Sequence, residues 1–232
     1  MLGKNPVYMD SIKHIAISLD DVSDWCRKNN ISMNDGYAVY FDNLNRLIEF
    51  QVLTKIPIFT IYIINEAENN AQDYLNFCEQ VAGFCDRLSQ KKFIEEQKVK
   101  IAILGKWYNL PGKTVESIKN LMEATKDYDG FFVNLCINYD GQEEIVDACK
   151  LIAKQIQLGK IDAEMITKEN IKENIYSSYF LPPDLLFVYG QRKLTGLLLW
   201  DSAKSSVAFA DKSFLEFEEG DVKTYIFYRP GF

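Results

Sequence analysis

Short runs of β-branched and aromatic residues alternate along this chain with longer stretches of helical spacing. That alternation restricts the fold more than any other feature of the sequence. The runs are His14–Leu19, Ile56–Ile64, Val99–Leu104, Gly130–Ile137 and Leu185–Tyr189, with Ser205–Phe209 as a further candidate. Between them Gly36–Thr54, Ala71–Gln97, Thr114–Lys126, Glu143–Gly159 and Lys168–Tyr176 carry apolar residues three and four positions apart, with Gly159 placed to stop the fourth helix. A strand that is followed by a helix rejoins its sheet in the same direction, so the pattern predicts an α/β domain: a central parallel sheet flanked by helices. No internal repeat and no Pro/Gly/Ser-rich linker divides the 232 residues, which predicts one domain over 1–232.

Composition narrows the class of partner. With 33 Asp plus Glu against 26 Lys plus Arg the net charge is −7, the wrong sign for a protein that binds a phosphate backbone, so nucleic acid is excluded as a partner. The five cysteines, Cys26, Cys78, Cys85, Cys136 and Cys149, are odd in number and lack C-x-x-C spacing. Thiols of that kind are expected to stay reduced in a cytoplasmic protein. The longest apolar run, around Ile56–Ile64, is too short to cross a bilayer and the N-terminal residues show no signal pattern, so any membrane contact would be peripheral.

In open parallel sheets ligands sit beyond the carboxyl ends of the strands. The residues there are Asp20–Asp24, Asn65–Asn69, Asn138–Gln142 and Gly190–Thr195. His14, inside the first run, is expected to be a satisfied core histidine, and Asn138 and Tyr139 are expected to fix their loop by hydrogen bonds.

Five segments form an ordered series: His14-Ile-Ala-Ile-Ser-Leu-Asp20 with Trp25; Ile137-Asn-Tyr-Asp-Gly141; Glu143-Glu-Ile-Val146; Pro183-Asp-Leu-Leu186; and Leu198-Leu-Trp-Asp-Ser-Ala203. In order and spacing the series resembles the cis-prenyltransferase family typified by undecaprenyl diphosphate synthase, over essentially the whole chain. The resemblance implies that family's parallel-sheet fold, an apolar tunnel between the sheet and the helices Gly36–Thr54 and Ala71–Gln97, a homodimer, an allylic prenyl diphosphate as substrate, and Mg2+. It implies substrate contacts at Trp25, Tyr37, Tyr62, Ile63 and Asn65 and, on the side of the second substrate, at Arg192 and Lys193.

The departures from the family's pattern bear on function. Asp20 keeps the acid that ends the first motif, but Asp21, Val22, Ser23 and Asp24 stand in place of G-N-G-R, and Met33 and Tyr37 in place of an Arg and a His. Val188 replaces the leading arginine of R-T-x-G-E-x-R-x-S, and Ser206 aligns with a metal-binding Glu. Lost guanidinium forks weaken phosphate binding in a way neutral residues cannot restore, so ordinary chain elongation is not expected. Ile63 and Ile64 in place of Ala-Phe make a bulkier tunnel wall, which suits a shorter or folded substrate.

Asp20-Asp21-Val-Ser-Asp24 also spells D-D-x-x-D, the aspartate cluster that chelates Mg2+ around a prenyl diphosphate in terpene synthases and trans-prenyltransferases. On that reading Asp20, Asp21 and Asp24 are metal ligands, Asp20 and Asp24 carry the catalysis, and the enzyme ionises one allylic diphosphate and releases it. The alternative makes Asp21 and Asp24 solvated residues at a helix N-terminus, favourable to the helix dipole. Two other functions stay open: a non-catalytic prenyltransferase-like subunit or isoprenoid-binding protein, and a genuine prenyltransferase with altered substrate contacts.

Overall fold

The computed structural model describes residues 12–63 and 70–227. Among them six strands, β1 (His14–Ser18), β2 (Ile58–Tyr62), β3 (Val99–Leu104), β4 (Phe131–Cys136), β5 (Leu185–Tyr189) and β6 (Ser206–Ala210), form one sheet in the order β3-β4-β2-β1-β5-β6. Every neighbouring pair is parallel, as the alternation predicts. The chain steps from β1 to β2 on one side and later places β5 on the other. The crevice beside the carboxyl end of β1 is therefore a topological switch point, where α/β sheets bind ligands.

The helices are α1 (Val22–Asn29), α2 (Met33–Thr54), α3 (Ala71–Ser89), α4 (Lys92–Glu96), α5 (Gly112–Ala124), α6 (Gly141–Gln157), α7 (Lys168–Asn174) and α8 (Glu219–Phe227). Ser32 starts α2 three residues ahead of the expected Gly36, its hydroxyl accepting the Asp35 N–H at 3.1 Å. Gly36 instead marks a close approach: a Cβ there would fall 2.2 Å from Cys26 Sγ, so its absence lets α1 lie against α2. The expected helix Ala71–Gln97 is two helices. Three and four residues beyond buried Leu88 stand Lys91 and Lys92, and continuing α3 would turn two ammonium groups toward the core. The chain breaks instead at Gln90–Lys91, and Ile94 is the next residue buried. Gly159 follows the last residues of α6 with φ +67°, a left-handed stop. Helix α8 is additional to those expected, α1 is the helix that the alternative reading of Asp21 and Asp24 requires, β6 runs one residue later than expected, and β2 is shorter at both ends.

Alternation along each strand divides the interior. Ile15, Ile17, Phe59, Ile61, Val133 and Phe187 join the larger core with α2, α3 and α5, whereas Ala16, Cys136, Leu186 and Val188 pack on the other face with Tyr139, Leu197 and Leu198. Between α2 and α3, where the family resemblance implies a tunnel, aromatic rings meet. Tyr37 and Phe77 have centroids 6.0 Å apart, and Phe41 stacks on Phe84 at 4.9 Å.

His14 is a satisfied core histidine. Its Nδ1 donates to the Leu181 carbonyl at 2.5 Å, which leaves Nε2 to accept from the Thr60 hydroxyl at 2.8 Å. Thr60 Oγ1 in turn accepts from Asn134 Nδ2 at 3.0 Å, linking β1, β2 and β4. Burial lowers the His14 pKa to about 4, against the weaker upward pull of the Leu181 carbonyl, Asp184 and Asp201. The neutral ring is favoured in the folded state, so its contribution is intact above pH 6.5 and is lost as pH falls toward 4. Denaturant midpoints of wild type and His14→Gln should therefore converge between pH 7 and pH 4.5, the histidine's share of the slope amounting to at most about 3 kcal/mol. Asp20 and Glu144, whose pKa values burial raises, favour the folded state in the opposite sense in both proteins and cancel from the comparison. Parallel pH profiles would remove His14 as the cause.

Candidate functional site

The switch-point crevice is built around Asp20. Beyond β1 the chain still bonds the sheet once, Leu19 N–H to the Tyr62 carbonyl at 3.1 Å, and Asp20 then leaves it. Gly190, directly after β5, donates its N–H to the carbonyls of Ala210 and Lys212 and holds φ +73°. A Cβ on Gly190 would sit 2.6 Å from the Asp20 Cβ and 2.7 Å from its Oδ2, so the glycine makes the room that Asp20 occupies. Asp20 Oδ1 accepts the Phe214 backbone N–H at 2.7 Å, and the Ser213 side chain bonds the same carboxyl. Burial raises the Asp20 pKa above the usual carboxylate range, the two hydrogen bonds pulling the other way. The cleft in front of it, about 360 Å³, is also lined by Asp21, Asp24, Trp25, Lys28, Gln191, Asp211, Lys212 and Glu216.

Asp20, Asp21 and Asp24 thus face one cleft, but they are not assembled into a metal-binding trio. Asp21 sits in extended backbone, φ −73° and ψ 142°, as the N-cap of α1, its carboxylate accepting the Ser23 N–H at 2.7 Å and the Ser23 hydroxyl. Asp24 pairs with Arg27 at 2.5 Å on the exposed side of the first helical turn. Among the described residues no group of three His, Cys, Asp or Glu is arranged to hold a metal ion. The alternative reading, in which Asp21 and Asp24 serve the start of a helix, is what their contacts support.

The remaining expected contacts are divided. Trp25 lines the Asp20 cleft and donates Nε1–H to Glu216 at 3.0 Å. Arg192 forks onto Asp211, and Lys193 is exposed beside it. Tyr37 lines neither cleft: it is 2 % exposed and packed into the core, since the helix turns it onto Phe77. Tyr62 and Ile63 end β2 on the wall of a second cleft, and Asn65 lies outside the described residues.

This second cleft, about 240 Å³, opens where β2, β3 and β4 end, and Tyr74, Phe77, Lys106, Leu110, Asn138, Tyr139 and Tyr176 contribute to it. Asn138 does fix the loop, its amide donating to the Lys106 carbonyl at 2.8 Å. The Tyr139 hydroxyl donates to Glu144 at 2.7 Å and accepts the Leu198 N–H at 3.1 Å. Lys106 reaches Glu143 at 2.6 Å and Asp147 at 3.3 Å. The Tyr176 hydroxyl donates to Asp147 at 2.5 Å and, with Lys150 and Lys106, lowers the Asp147 pKa to about 2. Behind this wall buried Asp201 takes Lys172 Nζ at 2.6 Å and the Ser177 hydroxyl at 2.7 Å. Sequence reasoning did not single out Lys106, Asp147 or Lys172, because their partners across this wall lie 29 to 41 positions away and no local spacing signals them; Asp201 had a signal in the Leu198–Ala203 segment. Glu144 had a signal in the Glu143-Glu-Ile-Val146 segment.

Comparison with known proteins places the chain in a family. The model of the undecaprenyl diphosphate synthase family, a family of prenyltransferases, matches residues 19–228. An isoprenyl transferase of Halalkalibacterium halodurans is 26 % identical over 209 residues, covering 89 % of this chain and 81 % of that protein. The tritrans,polycis-undecaprenyl-diphosphate synthase (geranylgeranyl-diphosphate specific) of Thermoplasma volcanium is 29 % identical over 213 residues, covering 90 % and 82 %. The crystal structure of lavandulyl diphosphate synthase from Lavandula x intermedia, in complex with dimethylallyl diphosphate, superimposes with a TM-score of 0.88 at 20 % identity, over 95 % of this chain and 96 % of that one. That last likeness establishes the fold.

The crowding of Gly190 against Asp20 is directly testable. Gly190→Ala combines a left-handed backbone with a Cβ that must displace Asp20, and is expected to cost at least about 1–2 kcal/mol in a denaturant melt. An unchanged midpoint would mean that Asp20 is not held as described.

Proposed function

The chain belongs to the undecaprenyl diphosphate synthase family of prenyltransferases, matched over residues 19–228, and from that premise we propose that it is a working prenyltransferase with altered substrate contacts, joining a short allylic prenyl diphosphate to a second isoprenoid diphosphate. The observation that carries the reading is the setting of Asp20. The acid at the end of β1 is oriented by the Phe214 N–H and given room by Gly190 at the switch point, while the three-carboxylate cluster that a diphosphate-releasing enzyme would need is not assembled. The transferases and synthases among the relatives support the same choice.

In the proposed reaction the allylic carbon–oxygen bond breaks and its electrons leave with the diphosphate. The double bond of the second substrate attacks the allylic cation, a carbon–carbon bond forms, and the resulting cation passes a proton to the released diphosphate. Asp20 is the residue proposed to anchor the leaving group. Magnesium suits one carboxylate completed by substrate phosphates, and Asp20 supplies a hard oxygen donor of that kind. Bound there, the ion would offset the negative charge that develops on the departing diphosphate. Trp25, on the same cleft, would border the diphosphate, and Arg192 would contact that of the second substrate. The ring contacts of Tyr37, Phe41, Phe77 and Phe84 leave little slot for a long chain, and they support a short substrate. Homodimer formation and cytoplasmic residence accompany this reading as proposals; no helix among the described residues is long and apolar enough to cross a membrane.

The deciding experiment incubates the purified protein with dimethylallyl diphosphate and ten- to twenty-carbon allylic diphosphates, each with and without isopentenyl diphosphate. Joined products should form with Mg2+ and cease in EDTA, and Asp20→Asn should lower turnover by about a hundredfold or more. Pyrophosphate release from a single allylic substrate with no joining would favour the diphosphate-releasing reading, and no release from any combination would favour an isoprenoid-binding protein. Phe77→Ala should shift acceptance or product toward a longer chain by at least one isoprene unit, measured by mass spectrometry; an unchanged length would remove Phe77 from the chain's path.

A further inference from the structure

The segment between β6 and α8 carries two carboxylates that engage the side chains a diphosphate would meet. Asp211 receives Arg192 as a fork, Nε to Oδ1 at 2.6 Å and NH2 to Oδ2 at 2.5 Å. Glu216 receives Trp25 Nε1–H at 3.0 Å, and between them the Phe214 N–H rests on Asp20. The segment is anchored at this rim: Gly190 N–H bonds the Lys212 carbonyl at 3.0 Å, and Lys212 Nζ reaches Asp221 at 2.9 Å. A carboxylate that meets a guanidinium through two parallel N–H···O bonds uses the same donor pair that a phosphate would use.

We propose that Asp211–Glu216 is an internal acidic occupant of the diphosphate site, in which Asp211 acts as a phosphate mimic on Arg192 that the incoming diphosphate displaces. The inference rests on the reading of this cleft as a diphosphate site. Arg192 and Asp211 are 74 % and 64 % exposed, so the pair is weak and a substrate bearing more charge than a carboxylate exchanges with it readily. Its effect is to raise the concentration at which the site fills. Asp211 is also one of five carboxylates on a cleft with two lysines, Lys28 and Lys212; Arg192 does not line that cleft but is held at its rim by Asp211, and its release would add a third cation there.

The test is a double-mutant cycle on the full chain, with inorganic pyrophosphate plus magnesium as the probe and affinity read by calorimetry and tryptophan fluorescence. Asp211→Asn should bind pyrophosphate roughly two- to fivefold more tightly than wild type, the size expected for freeing one exposed ion pair. In the Arg192→Gln background the same Asp211 substitution should gain distinctly less, because only the general loss of one negative charge is left. Equal affinity of wild type and Asp211→Asn overturns the proposal, and so does an equal gain without Arg192, which would be a general charge effect. If wild type binds neither pyrophosphate nor a prenyl diphosphate, the reading of the cleft falls and takes this proposal with it; wild-type binding without the gain defeats this proposal alone.

Discussion

The hydrogen bond from the Phe214 N–H to the Asp20 carboxylate joins residues 194 positions apart, and the organisation of the candidate site depends on it. It ties the first loop of the sheet to the segment after the last strand, so that neither end of the cleft is free to move without the other. The bond needs Asp20 to project toward β5 and not along β1, and that projection needs a residue without a Cβ at 190. Phe214 is in turn locked by its ring, which meets Tyr40 and Tyr189 edge to face at 5.3 Å. A half-buried carboxylate with one oriented backbone donor is thereby supported by aromatic packing on the large core, and the polar site and the apolar interior become one structure.

The fold was legible because a parallel sheet imposes a strong pattern: strands covered on both faces read as continuous apolar runs, and each is separated from the next by a helix-length stretch. The ends of elements were less legible, for reasons visible in single residues. The split between α3 and α4 carries neither Gly nor Pro. Its signal is the pair Lys91 and Lys92, which stand where the buried face would continue, and a search for breakers passes over them. α1 was legible only through the alternative reading of Asp21 and Asp24, because its capping residue is one of the aspartates also read as a metal ligand. Among its described side chains α8 buries Val222 and Ile226, four residues apart, a spacing too brief to stand out from the loop before it.

The site was legible in its anchor and not in its wiring. Placing Asp20, Trp25 and Gly190–Thr195 beyond strand ends required only the strand pattern and the ordered motifs. The D-D-x-x-D reading takes Asp20, Asp21 and Asp24 as one chelating cluster, whereas Asp21 takes extended backbone at the N-cap, so the helix starts after the first two acids. Linear spacing cannot register that change, because an N-cap aspartate and a helical aspartate are the same letter. The Lys106, Asp147 and Tyr176 cluster, and Asp201 with Lys172 and Ser177, are assembled only by the crossing of the chain.

Charge sets the final constraint on the proposed chemistry. The Asp20 cleft has five carboxylates, from Asp20, Asp21, Asp24, Asp211 and Glu216, against the ammonium groups of Lys28 and Lys212. A diphosphate entering such a cleft meets net repulsion unless some carboxylates are already neutralised or a cation comes with it. Asp21 and Asp24 are partly spent, one on the helix start and one on Arg27, and Asp211 on Arg192. What remains unbalanced is centred on Asp20 and Glu216, and of these Asp20 is the one withdrawn from solvent and fixed in direction. A divalent cation carried by the substrate would find there its single favourable protein ligand, so the replacement of the family's first arginine by acids shifts the proposed recognition at Asp20 from a guanidinium fork to the metal that accompanies the substrate, beside Arg192 at the rim.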